Sequence, residues 1–334
     1  MSSLLTTVAS TSMKGYRIER PTALGALRPA EIAMPVVPDD GVLIRVHASS
    51  ANPVDLFPTS LAGYLMGGRK PVVLGTDFSG VVESVGSSVT SFRTGDEVFG
   101  GATGAFAQYV CVRESKAIAL KPSSVSFEQA GVVAVAGCTA LQALRDHGRL
   151  ERGQRVLING ASGGVGTFVV QIARALGAHV TAVCSTQNVD MIRGLGADVV
   201  IDYKKSDFTR LDERYELLLD IAGSHSYGRC RRVLAPRGTF VGVGAAAIQH
   251  GAGGGLRAIG HFLGTRAMSV VGNRRVVPLF IASLTRESLE FLSELMADGR
   301  VTPVIDRRFS LSEAAAGLQY MNEGHARAKV AIAV

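Results

Sequence analysis

The stretch from Arg155 to Gly166, Arg-Val-Leu-Ile-Asn-Gly-Ala-Ser-Gly-Gly-Val-Gly, constrains the fold more than any other part of the chain. It reads as a buried strand, a glycine turn and then a helix, because Val165, Phe168, Val169, Ile172 and Leu176 recur at helical spacing behind it. A strand, a glycine turn and a helix start in that order form a cradle for a dinucleotide pyrophosphate. Gly163 lets the backbone approach the phosphates, Gly166 lets the helix lie close to the strand, and the amides of the helix start face negative charge. Ala161 takes the place of the first glycine, so the pattern is AxGxxG. A second strand, His179 to Cys184, follows at the distance such a unit needs.

Around this centre the chain changes rhythm once. From Met13 to about Ala136, short apolar runs alternate with Gly, Pro and Asp turns, as in 41–47, 80–86, 95–100 and 105–112, which describes an all-β domain. From Gly137 onward strands near 155–159, 179–184, 198–201, 216–221 and 239–243 are separated by helical stretches, which predicts a parallel sheet covered on both faces. A helix over 286–299, a strand near Val304, a helix over 311–324 and an apolar ending from Lys329 can return to the β domain and close it. The fold class is therefore α/β, a β domain joined to a doubly wound sheet. Residues 1–12 are Ser/Thr-rich and uncharged and are expected to be a disordered tail rather than a secretory signal. Residues 245–255 form a Gly-rich loop, and 256–266 an apolar-faced helical stretch that suits a cover over a pocket, a membrane-surface helix or an ordinary packed helix.

Composition excludes several classes. In 334 residues, 47% hydrophobic and 19% charged, no apolar run nears the roughly 20 residues of a membrane span. The net charge of +7 comes from 35 basic and 28 acidic residues that are scattered, with no basic stripe carrying aromatics, so nucleic acid is not an expected partner. Cys111, Cys138, Cys184 and Cys230 lie far apart and suggest neither a disulfide framework nor a metal knuckle, which suits the cytoplasm.

Several further segments, taken in order, carry a resemblance: Asn52-Pro-Val-Asp55, Leu74 to Gly80, Gly86 through Gly100, Gly137-Cys-Thr-Ala-Leu141, Ala161 to Gly166, Leu195 to Asp198 with Ile201 to Tyr203, and Gly324 to Val330. Together they resemble the medium-chain dehydrogenase/reductase superfamily, in its zinc-independent quinone oxidoreductase branch. The part from Asn273 onward is similar to chloroplast-envelope quinone oxidoreductases and alkenone reductases. The resemblance implies a GroES-like catalytic domain from 13–137 and 275–334, a Rossmann domain from 138–274, and a homodimer that pairs Rossmann sheets through an edge strand at 268–272.

In zinc-dependent members of that superfamily a Cys, a Gly-His-Glu motif and a later Cys hold the metal. Here Asn52 and Gly75-Thr76-Asp77 stand at the first two places and Cys138 lies near the third without partners, so no metal is expected. The tip of the second Rossmann strand, Cys184-Ser-Thr-Gln-Asn188, has no carboxylate to bind a ribose, which points to NADPH. The resemblance places Ser185 and Tyr203 around the 2′-phosphate, where Lys204, Lys205 or Arg193 can add charge, although Gln187 stands where relatives often have Lys. It also implies Ser162, Gly163, Gly164 and Val165 on the pyrophosphate, Ser224, Val243 and Gly244 along the nicotinamide, Thr139 near the carboxamide, and Asn273 and Lys329 at the closing edge. Val243 and Gly244 fit plain strand-end packing equally well.

For catalysis the resemblance points to a polar wall of Asn52, Asp55 and Tyr64. Asn52 equally suits a turn before Pro53, and Asp55 suits the cap of the helix that follows. Phe57 stands where relatives often have Tyr. The function expected is NADPH-dependent, zinc-independent hydride transfer to quinones or to the C=C bond of α,β-unsaturated ketones and aldehydes. The alternatives are an enoyl-thioester or specialised biosynthetic reductase and, from another class, a non-catalytic NADPH-binding regulatory protein.

Overall fold

A computed structural model describes residues 11–244, 274–279, 282–324 and 326–334. The expectations for residues 245–266, for the edge strand at 268–272 and for Asn273 lie outside them.

Two sheets organise the molecule. In the first, six parallel strands lie in the order Val199–Asp202, His179–Cys184, Arg155–Asn159, Tyr215–Asp220, Leu234–Val243 and Arg275–Leu279. Their residues are apolar on both faces because helices cover both sides, so the strands show no polar alternation. The chain runs outward in one direction from Arg155–Asn159 and then, from Tyr215–Asp220, in the other. This reversal opens a crevice at the carboxyl ends of the two central strands, the place where open α/β sheets bind ligands.

The second sheet carries Ile305–Ser310, Lys329–Ala333, Gly41–Ala51, Asp77–Val85, Glu97–Gly101 and Ile118–Leu120 in that order, with Tyr109–Arg113 pairing Gly41–Ala51 as well. Lys329–Ala333 lies antiparallel to the end of Gly41–Ala51, with Ala331 opposite Ser50, so the C-terminal elements do close the β domain. Most strands match the expected segments to within a few residues.

Two boundaries differ. Arg275–Leu279 pairs in parallel with Leu234–Val243, so the dinucleotide-type sheet continues past residue 275. Ser12 belongs to the strand Ser12–Gly15 paired with Ala30–Ala33, so it is not part of a free tail.

One join between the two sheets fixes the geometry of the site. Ala328, held at a φ of 67°, donates its N–H to Ser162 O at 2.8 Å and forms a bridge with Gly163. Elsewhere Gln171 donates to Thr302 O at 3.1 Å and accepts from Thr302 N at 2.8 Å, so its amide ties the helix Gly164–Ala175 to the returning chain.

Candidate active site

A cleft of about 250 Å³ lies between the sheets. Gly163, Gly164, Val165, Ile221 and Val243 line it from the Rossmann side, and Asn52, Pro53, Thr76 and Lys329 from the other. Thr139 also lines it, from the helix Ala134–Leu141.

The glycine turn fits a pyrophosphate. A Cβ on Gly166 would stand 2.3 Å from Gly160 O and 2.6 Å from Ala161 C, so close packing against the first strand requires a glycine there. A Cβ on Gly163 would meet nothing nearer than 3.7 Å, so the protein leaves the space over this residue open. Gly163 caps the helix Gly164–Ala175 without a side chain, and the first amides of a helix have no partner inside it. At the carboxyl ends of His179–Cys184 and Val199–Asp202, Tyr203 N donates to Cys184 O at 3.1 Å, one residue before the buried Ser185, and the Tyr203 side chain is exposed. Asp202, the nearest carboxylate there, already accepts from Thr186 Oγ1 and from Lys204 N. Lys205 lies 3.8 Å from it, whereas Arg193 is turned to Asp190.

The opposite wall is a buried polar cluster. The strand Gly41–Ala51 carries Ser49 and Ser50 just before its last residue, Asp77 opens the strand Asp77–Val85, and pairing sets Ser50 directly opposite Asp77. Asp77 Oδ2 accepts from Ser50 Oγ at 2.6 Å and from Asn52 Nδ2 at 3.0 Å, with Lys329 Nζ at 3.5 Å. Its Oδ1 accepts the Val135 N–H at 2.7 Å, at the start of the helix Ala134–Leu141. Lys329 Nζ also donates to Asn52 Oδ1 at 2.5 Å. Burial pushes the Lys329 ammonium below its ordinary range, and the charges of Asp77 and Asp55 oppose that push.

Asp55 sits one layer deeper, accepting from Asn52 N through Oδ2 at 2.9 Å and from Thr76 Oγ1 through Oδ1 at 2.7 Å. Burial raises its carboxyl to about 7, against the pull of Thr76, and the charge of Asp77 adds to the rise.

Among the catalytic candidates, Asn52 and Asp55 come together with Lys329, and Tyr64 does not. Tyr64 lies on the short helix Leu61–Met66 and is not among the residues lining the cleft. Asp55 is not the cap of the turn Pro53–Thr59: Asn52 takes that position, and Asp55, three residues on, accepts the Asn52 N–H in return. Of the cofactor candidates, Gly163, Gly164, Val165, Thr139, Val243 and Lys329 line the cleft. Ser162 holds Ala328 N through its carbonyl. Gly244 N donates to Leu279 O at 2.8 Å, which is strand-end pairing. Ser224 lies exposed past the fourth strand, accepting from Asn159 Nδ2 at 3.0 Å and bonded to His225 Nδ1 at 2.9 Å.

Sequence reasoning missed Thr76, Asp77 and Ser50 as partners in one network, having weighed Thr76 and Asp77 only as absent zinc ligands. A signal was present: Ser49 and Ser50 stand just before the last residue of an apolar strand, and Lys329 opens another, where a polar side chain is retained only if it has partners.

Comparison with known proteins agrees with this geometry. Residues 38–123 match the alcohol dehydrogenase GroES-like domain and residues 195–332 the zinc-binding dehydrogenase family. The chain is 32% identical to the mitochondrial NAD(P)H oxidoreductase RTN4IP1 of Mus musculus, over 98% of this chain and 91% of that one. It is 31% identical to the 2-methylene-furan-3-one reductase of Solanum lycopersicum, over 91% and 74% of the two chains. Its fold is similar to that of a quinone oxidoreductase from Coxiella burnetii, with a TM-score of 0.81 at 28% identity, covering 97% of this chain and 99% of the other.

Proposed function

The chain belongs to the medium-chain dehydrogenase/reductase family and is an NAD(P)H-dependent oxidoreductase, and from that premise we propose that it uses NADPH, without zinc, to reduce quinones or the C=C bond of α,β-unsaturated carbonyl compounds. The observation that carries this reading is the placement of the Gly163–Gly164 turn and the Asn52–Lys329 wall on opposite sides of one cleft.

A nicotinamide held there supplies the hydride. The Gly163 to Val165 turn would hold the pyrophosphate, and Thr139 and Val243 border the space between it and the polar wall. When a conjugated acceptor takes a hydride, negative charge collects on its oxygen. Lys329, on the wall of the cleft, is a fixed cation in a dry site and lowers the energy of that charge without having to reorganise. Asn52 and Asp77 hold the ammonium in place from behind.

Ser185, Tyr203, Lys204 and Lys205 gather at one strand end with the nearby carboxylate already engaged, and this supports NADPH over NADH. Zinc is disfavoured by the donors themselves. The Asn52 amide oxygen accepts from Lys329, the Asp77 carboxylate is taken up by Ser50, Asn52, Val135 N and Lys329, and a divalent cation would have to displace the buried ammonium. All four cysteines are free, which supports a cytoplasmic setting, and no described helix is long and apolar enough to cross a membrane. A homodimer through the outer sheet edge, where the described strand is Arg275–Leu279, completes the reading.

The test is oxidation of NADPH and of NADH against benzoquinone, phenanthrenequinone, an alkyl vinyl ketone, 2-hexenal and crotonyl-CoA, with and without a chelator. Chelator-resistant turnover of quinones or enones, faster with NADPH, is expected. Turnover confined to crotonyl-CoA would replace the reading with a thioester reductase, and cofactor binding with no turnover would replace it with a binding role.

A further inference from the structure

Asp55 is 3% exposed and does not border the cleft, whereas Thr76 does. The two are joined by the bond from Thr76 Oγ1 to Asp55 Oδ1, and Asp55 Oδ2 is held by the backbone N–H of Asn52. A backbone N–H can only donate, so a proton carried by Asp55 belongs on Oδ1, facing Thr76. With the proton there, the carboxyl donates to Thr76 Oγ1, and the hydroxyl hydrogen of Thr76 is released from Asp55 towards the cleft. Lys329 serves as a fixed charge and not as the proton source, because losing its proton would leave the buried Asp77 carboxylate, 3.5 Å away, without a counter-charge.

We propose that Asp55 stores the proton for the reduction and that Thr76 passes it to the acceptor, a relay that rests on the reductase reading above. As hydride reaches the acceptor, and in the same transition state, the Thr76 O–H bond breaks and an O–H bond forms on the acceptor oxygen where negative charge is developing. At the same time the Asp55 O–H bond breaks and the Thr76 hydroxyl is restored. The charge left on Asp55 is met by the Thr76 hydroxyl, the Asn52 N–H and the field of Lys329. When product leaves, a proton from water returns to Asp55 along the same path in reverse. Burial, which raises Asp55 to about 7, keeps a proton available on it at neutral pH.

Thr76 is thus a catalytic residue alongside Lys329, and Asp55 a positioning and storage residue behind it. The experiment is single-turnover reduction of an acceptor that the wild type turns over, followed from pH 5.5 to 8.5 in H2O and D2O, with the NADPH Kd measured for each variant. Thr76→Val keeps the volume and removes the hydroxyl. It is expected to slow reduction by about 10²-fold, to abolish the fall in rate above pH 7 and the solvent isotope effect, and to leave the Kd unchanged. Thr76→Ser is expected to restore most of the rate, and Asp55→Asn to behave as Thr76→Val does. A Thr76→Val protein with wild-type rate, pH profile and isotope effect would overturn the relay, as would a Thr76→Ser protein no faster than Thr76→Val. Absence of wild-type turnover with any acceptor would overturn the reductase reading and the relay with it.

Discussion

Lys329 and Asp77 are 4% and 0% exposed, and a charge so deep in a protein is retained only when its partners are fixed. Lys329→Met, similar in volume, leaves the Asp77 carboxylate buried without its counter-charge and should cost about 3–5 kcal/mol, read as a lower urea midpoint. Adding Asp77→Asn should recover part of that loss; if it recovers nothing, the pair is not what the single variant removes. Asp55 gives a different signature. Its folded pKa is about 7 against an ordinary 3.8, so the folded state binds the proton more tightly. Stability should therefore fall as pH rises from about 4 to about 7, by on the order of 4 kcal/mol if the whole shift is expressed. Asp55→Asn should flatten that slope in a pH series of urea titrations. Asn52, Asp55 and Lys329 could be picked out in the sequence by resemblance. The role of Thr76 could not, because it depends on a 2.7 Å contact across 21 residues that no local pattern encodes.

At the scale of elements, the two glycines of the dinucleotide turn make opposite demands. Gly166→Ala forces a Cβ onto the backbone of Gly160 and Ala161 and should cost about 1–3 kcal/mol. Gly163→Ala has room within the protein and an ordinary φ of −82°. It should keep the wild-type melting temperature yet bind NADPH at least about tenfold more weakly, a loss of about 1.4 kcal/mol, measured by calorimetry. Equal stability losses in the two variants would contradict this division of roles. The strands and the helix of this unit were legible because apolar runs bounded by glycine, and a 3.6-residue period, leave few other solutions. Arg275–Leu279 was not placed in the sheet, since it joins by pairing with a strand over 30 residues earlier and carries Pro278, which suits an edge.

In the molecule as a whole, the all-β and alternating halves were visible as a change of rhythm, whereas the way they lock together rests on side chains that read as ordinary polar residues. Gln171 is one, with its amide bonded to Thr167 O and to both backbone groups of Thr302. Gln171→Leu keeps the volume and should lower stability by about 1–2 kcal/mol in thermal unfolding, with a rise in KM for NADPH if this tie also sets the width of the cleft. A second lock is the join of Ala328 to Ser162 and Gly163, with Lys329 following at once. The ammonium and the clasp on the phosphate turn therefore emerge from the ribosome after every other strand of both sheets. A chain that stops before them keeps Asn52, Thr76 and Asp77 of the polar wall but lacks the ammonium and the clasp on Gly163. The last strand is a keystone: Ala328 and Lys329, adjacent in the chain, fasten the phosphate turn and the polar wall to each other.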